Sequence, residues 1–156
     1  MKEGLGTVPA LVVVITGFVI ISSYLAFTIN YSKAFKANSR IVNVIQQENN
    51  KIDKNAIARI NKYLKKINYH AAEEYMKKGC MDNGKQNGWV SVTSGNSNAG
   101  WCYKTVTVAG EGESEKLIYT KIRTFISIDV PFFNKFFAGN NQFKVEGSTK
   151  VTRVTS

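Results

Sequence analysis

From Thr7 to Ile29 the chain carries no charged side chain. At a rise of about 1.5 Å per residue, these roughly 23 residues extend about 35 Å, enough to cross a hydrocarbon core of about 30 Å. The pattern predicts a transmembrane helix over residues 7–29, preceded by a short leader at 1–6. A secretory signal has an apolar core of about 7–15 residues. Here apolar residues continue past Ser22-Ser23 to Ile29, so the reading is a retained anchor. A fully buried core helix would need apolar cover on every side, and no other segment is apolar enough to supply it.

Beyond the anchor the apolar positions become periodic. Ala34, Phe35, Ala37, Ile41, Val44 and Ile45 recur at helical spacings of three, four and seven. They predict a helical stem over residues 30–54 and a nearly continuous helix from Thr7 to about Ile45, with Pro9 in its first turn. Asn49-Asn50 offers a break and Asp53 an N-cap. A second amphipathic helix is expected from about Asn55 to Lys78, with Ile57, Ile60, Leu64, Ile67 and Ala71 on one face and Gly79 as its stop.

From Cys80 the period changes to two. Asp82–Gly88 and Ser94–Gly100 read as turns, and Gly110–Ser114 as a loop. Trp89–Thr93 and Trp101–Ala109 read as strands. In the next strand Ile118, Ile122, Ile126, Ile128 and Val130 share one parity; Lys121, Arg123, Ser127 and Asp129 take the other and should face water. Pro131 ends it, Phe132–Phe137 crosses over and Gly139–Asn141 turns. A last strand follows with Phe143, Val145, Thr149 and Val151 facing inward and Gly147 as a bulge. The expected fold class is α+β: a long N-terminal membrane-spanning helix continuing into a stem, a second amphipathic helix, and an antiparallel sheet of about four strands. Residues 55–156 form its extracytoplasmic domain.

Charge and cysteines bear on topology in opposite directions. Lys2 flanks the anchor on one side; Lys33, Lys36 and Arg40 flank it on the other, which by count places the C-terminal domain in the cytoplasm. Cys80 and Cys102 are the only cysteines. A disulfide between them would close a loop of about 20 residues and stabilise a small domain by about 3 kcal/mol. Such bonds persist outside the cytosol; the alternative is two separate buried thiols. The cysteine pair, together with the resemblance given below, is given the greater weight, so the domain is placed outside the membrane.

The formal net charge is +10, and eight Lys and Arg lie between Lys51 and Lys78. Lys62, Lys65, Lys66, Lys77 and Lys78 are candidate contacts for an anionic partner: phospholipid headgroups, envelope polymers or nucleic acid. The competing reading is a solubilising surface. Trp89, Trp101 and Tyr103 are not interleaved with these cations as a single-strand platform requires. Catalytic chemistry finds little support. The single histidine, His70, is expected as a partly exposed helix residue; no HExxH, CxxC, GxSxG or phosphate-loop spacing occurs. No catalytic residue, cofactor, metal or small-molecule substrate is expected.

The layout resembles the TadE-like minor pilins of tight-adherence pilus systems. The resemblance rests on Gly4-Leu5-Gly6-Thr7-Val8-Pro9-Ala10-Leu11-Val12-Val13, on Ile126-Ser127-Ile128-Asp129-Val130-Pro131-Phe132-Phe133, and on Phe143 through Arg153. It covers a third to a half of the chain. It implies leader cleavage between Gly4 and Leu5, a helix that polymerises or docks, an exposed sheet domain, and other pilin-like subunits and assembly machinery as partners. In that family a Glu stands at the fifth mature position; counted from Leu5, the residue here is Pro9. The implied roles are therefore a subunit that initiates a filament, one that regulates it, or one that stays anchored. The alternative function is an anchored module that captures DNA or anionic polymers through its basic helix.

Overall fold

The structure is a computed structural model and describes residues 4–71, 79–82, 84–94, 97–109, 115–126 and 143–155. The chain forms two compact units, one of residues 1–31 and 128–141, the other of residues 32–127 and 142–156. The architecture is α+β. Helix α1 runs Gly4–Gln47 and α2 Lys54–Lys66; strands β1 Val90–Ser94, β2 Ser97–Ala109, β3 Glu115–Phe125, β4 Lys144–Ser148 and β5 Thr152–Thr155 follow. Helix α1 starts about one turn earlier than the apolar pattern indicates. Pro9 consequently lies in its second turn, where its missing N–H removes the bond to the Leu5 carbonyl.

Local chemistry ends both helices. After α1, Asn49 and Asn50 adopt left-handed conformations, with φ of 52° and 62°. Asn50 N–H reaches the Ile45 carbonyl at 2.9 Å and Asn49 N–H that of Gln46 at 3.1 Å, which is the Schellman arrangement. Asp53 then accepts from Ala56 N–H at 2.6 Å and caps α2. The second helix is much shorter than its periodicity suggests. It stops at Lys66 because Asn68 turns left-handed (φ 51°), and Tyr69 and Asn68 N–H bond back to Leu64 and Lys65 at 3.0 and 3.1 Å. His70 therefore stands beyond the helix, exposed, with Nε2 2.8 Å from Asn68 Oδ1. Residues 72–78, where the helix was expected to continue, lie outside the described residues.

The sheet is antiparallel, ordered β1-β2-β3-β4, and β5 also pairs with β3. It holds five strands because the last one is interrupted. β4 pairs with Lys121–Phe125 and β5 with Glu115–Ile118. At the break, Thr149 N–H donates to the Thr120 carbonyl (2.9 Å) and Thr120 N–H to Thr149 Oγ1 (2.8 Å). Val145 and Thr149 are buried as expected, whereas Val151 is exposed. Gly147 pairs in regular register with Ile122 and makes no bulge. The β1–β2 turn is shorter than expected, since β2 already begins at Ser97. The expected loop at 110–114, the strand end through Val130, the Pro131 stop, the crossover at 132–137 and the turn at 139–141 all fall outside the described residues.

The register aligns Val92, Trp101, Thr124 and Val145 across four strands, and all four are buried. This face receives the upper part of α1. Ala34, Ala37, Ile41, Val44 and Ile45 are fully buried, as are Ala56, Ile60 and Leu64 of α2. Burying an Ile, Leu or Val side chain contributes about 1.5–3 kcal/mol, so these helix faces carry much of the core. Phe35, expected on the covered face, is exposed. Small residues let the helix come close: Thr124 Oγ1 donates to the Ala34 carbonyl at 3.0 Å. Asn38 and Asn50 fasten the two ends of this segment. Asn38 Nδ2 donates to the Val145 carbonyl (3.0 Å), and Asn50 Nδ2 to the carbonyls of Ile118 (3.2 Å) and Lys150 (3.1 Å) and to Thr152 Oγ1 (2.6 Å).

Candidate functional site

Three surfaces carry the candidate functional residues. The first is the apolar part of α1. Val13 is 70% exposed and Phe18 71%. Leu11, Ile15, Ile21 and Leu25 are also exposed. The hydroxyls of Thr16 and Thr28 bond to the carbonyls of Val12 (2.7 Å) and Tyr24 (2.9 Å), four residues back. A hydroxyl satisfied within its own helix makes no demand on a surrounding apolar medium. One N-terminal helix is thus long and apolar enough to span a membrane. Gly4 and Leu5, the candidate cleavage pair, are the first two residues of α1.

The second surface is the outer side of α2. Lys62, Lys65 and Lys66 are exposed there, opposite the buried Ala56, Ile60 and Leu64. Among the described residues no acidic side chain pairs with them. Lys77 and Lys78 lie outside the described residues, so the structure brings together three of the five predicted cations. It adds a neighbour that the sequence did not indicate: the Arg40 guanidinium of α1 lies 5.6 Å above the Tyr63 ring of α2.

The third is built around Arg123 on the other face of the sheet. The register sets Ser91, Cys102, Arg123 and Glu146 in one row across four strands. Cys102 is joined to Cys80, with Cα atoms 5.8 Å apart. The neighbouring Arg123 holds the same segment through its side chain. Its Nη1 donates to the Gly79 carbonyl (3.2 Å), Nη2 to Asp82 (2.6 Å) and Nε to Glu146 (2.6 Å). Its guanidinium lies 3.8 Å over the Trp89 ring, and Trp89 Nε1 donates to the second Asp82 oxygen at 2.8 Å. Arg123 was expected to face water; only 7% of its side chain does. Asp82 and Trp89 of the disulfide-closed segment pack on it, and the guanidinium directs its fork of donors to Asp82, to the Gly79 carbonyl just before Cys80 and to Glu146 of β4.

Electrostatics follow from this geometry. Hydrogen bonds from Arg123 and Trp89 hold the Asp82 carboxyl below the usual range. Burial pushes Glu146 upward, but hydrogen bonds from Arg123 and Lys144 outweigh it and leave the group below its ordinary value. Burial pushes the Tyr69 phenol well up; its hydroxyl accepts from Phe125 N–H (2.8 Å) and donates to the Gly100 carbonyl (3.1 Å), bridging β3 and β2. These groups consume one another's hydrogen bonds, so the cluster is a fastening device for the loop. No group of three or more metal-ligating side chains occurs among the described residues. In comparisons with family models, curated proteins and solved structures, nothing matches this chain.

Proposed function

We propose that this chain is a single-pass anchored, pilin-like subunit: a TadE-like minor pilin or pseudopilin with a structural or assembly role in an adhesion or secretion pilus, its sheet domain outside the membrane. The observation that carries the reading is the division of labour along α1. Its lower part presents exposed apolar side chains from Val8 to Ile29, while the segment from Ala34 to Ile45 supplies core to an antiparallel sheet. A helix of this kind can be held by lipid or by the apolar helices of other subunits while the domain keeps its own fold. The Cys80–Cys102 bond supports an oxidising location for that domain. A second reading, capture of anionic polymers or DNA, is favoured by the exposed Lys62, Lys65 and Lys66.

The test has two parts. Protease added to intact native cells should digest the chain beyond Lys51; protection until lysis would place the domain inside. Deleting the chain should then remove or shorten the filaments recovered by shearing. Filaments unchanged in amount and length, with the chain absent from them, would leave an anchored protein without a pilus role.

A further inference from the structure

The charges of α1 and α2 are segregated along their length. Between Ser32 and Gln47 there are three cations, Lys33, Lys36 and Arg40, and no Asp or Glu. Helix α2 has Lys54, Arg59, Lys62, Lys65 and Lys66, again with no acid. The acids of this region, Glu48 and Asp53, sit at the connection between the helices, and both are engaged. Glu48 pairs with Arg59 at 2.7 Å and Asp53 caps α2. Lys33, Lys36 and Arg40 fall within about 60° of the α1 circumference.

Two contacts fix the direction of α2. Arg59 meets Glu48, and four residues later Tyr63 meets Arg40, eight residues earlier on α1. The second helix therefore runs back along the first. Its last turn, with Lys65 and Lys66, comes past Arg40 toward the level of Lys36. Along α1 itself, Lys33 and Lys36 follow Ile29 by about 6 and 10 Å of helix, and headgroup layers extend several ångströms beyond the hydrocarbon. Long basic side chains reach such layers by extending along the helix.

We propose that Lys33, Lys36 and Arg40 of α1, with Lys62, Lys65 and Lys66 of α2, form one cationic belt that binds the anionic headgroups of the membrane crossed by α1. This rests on the anchored reading given above. A lipid surface is the occupant because the belt begins on α1 within two helical turns of its apolar run, and α2 brings Lys65 and Lys66 past Arg40 toward the level of Lys36. Like charges without acidic partners repel, and an anionic surface turns that repulsion into attraction.

The experiment uses the full chain in nanodiscs of phosphatidylcholine, alone or with one quarter phosphatidylglycerol, and follows acetylation of each lysine by mass spectrometry. Lys33, Lys36, Lys62, Lys65 and Lys66 should label about fivefold more slowly with phosphatidylglycerol, while Lys104, Lys116 and Lys121 on the sheet keep their rates. Equal rates in both discs would overturn the proposal. In phosphatidylcholine discs, polyphosphate or duplex DNA that protects the same lysines as fully as phosphatidylglycerol does would overturn the assignment to lipid. The exposed triple variant Lys62→Gln, Lys65→Gln, Lys66→Gln, checked for folding by circular dichroism, should lose part of the protection at Lys36; full retention there would overturn the single belt. A chain that fails to enter discs overturns the anchored reading as well. One that enters them without lipid-dependent protection removes this inference alone.

Discussion

A methyl group added at Gly147 would fall on the Asn38 carboxamide oxygen and press against Val42. The glycine is there because the helix crosses the sheet at that point, with Asn38 bonded to the neighbouring Val145 carbonyl. Gly147→Ala should therefore destabilise by about 1–3 kcal/mol through overpacking. In an Asn38→Ala background the penalty should shrink, and a double-mutant cycle by thermal unfolding reads the coupling directly. Arg123 is a second single-residue dependence. Arg123→Leu removes three charge-assisted or carbonyl bonds and should cost about 2–3 kcal/mol; Arg123→Lys keeps the charge without the fork and should recover little of it. Its partners set an acid limit. The folded-state values of Asp82 and Glu146 are depressed, so their contribution is present above the unfolded carboxylate value and is lost as pH falls through the folded one. Acid titration followed by Trp89 fluorescence should show this loss, and Asp82→Asn with Glu146→Gln should flatten it. This cluster was not legible in the sequence. Alternation assigns Arg123 to a face but says nothing of what covers that face. The usable signal was positional: a cysteine in the adjacent strand implied that a loop is tied down there.

The two helix ends test whether asparagine serves by its backbone or by its side chain. Asn68 and Asn50 both take left-handed conformations that glycine adopts freely. At Asn68 the side chain, among the described residues, hydrogen-bonds the exposed His70 ring and no strand. At Asn50 it donates to Ile118, Lys150 and Thr152, where β4 gives way to β5. Asn68→Gly should thus leave stability within about 0.5 kcal/mol, whereas Asn50→Gly should lose about 1–2 kcal/mol, both measured by urea unfolding. If the two variants behave alike, the Asn50 side chain does not hold the strand break. Elements governed by neighbouring residues were readable: the Asn49-Asn50 stop, the Asp53 cap, and the existence of strands β2 and β3, though Ile122 through Ile126 are all buried where alternation predicts one wet face. The end of α2 was not, because Ile67 and Ala71 continue the helical spacing past Asn68 and periodicity outweighs a single turn former. The division of the last strand was also hidden. It is made by Asn50, about a hundred residues earlier in the chain.

At the scale of the molecule, the domain is held by one covalent tie and by the upper half of α1, and these fail differently. Replacing Cys80 and Cys102 with Ser opens a loop whose ends are 22 positions apart in sequence and should cost about 3 kcal/mol while leaving the fold intact. The helix is a stronger dependence. The sequence marks Ile41, Val44 and Ile45 as an apolar face that the domain or a neighbour must cover; they are fully buried beside Ala34, Ala37 and Asn38, so that face is core rather than stalk. The division between units at residues 31 and 32 falls just before this segment. A chain beginning at Ser32 keeps every one of these residues, both asparagine fastenings and the Thr124–Ala34 bond. It should show native far-ultraviolet circular dichroism and a cooperative thermal transition. A chain beginning at Asn50 loses five fully buried aliphatic residues together with Asn38, and at about 1.5–3 kcal/mol for each large one the loss approaches the whole stability of a small domain. It should have no cooperative transition. A folded chain from Asn50 would mean that α1 only decorates the sheet, and an unfolded chain from Ser32 would mean that the apolar segment is itself needed for folding.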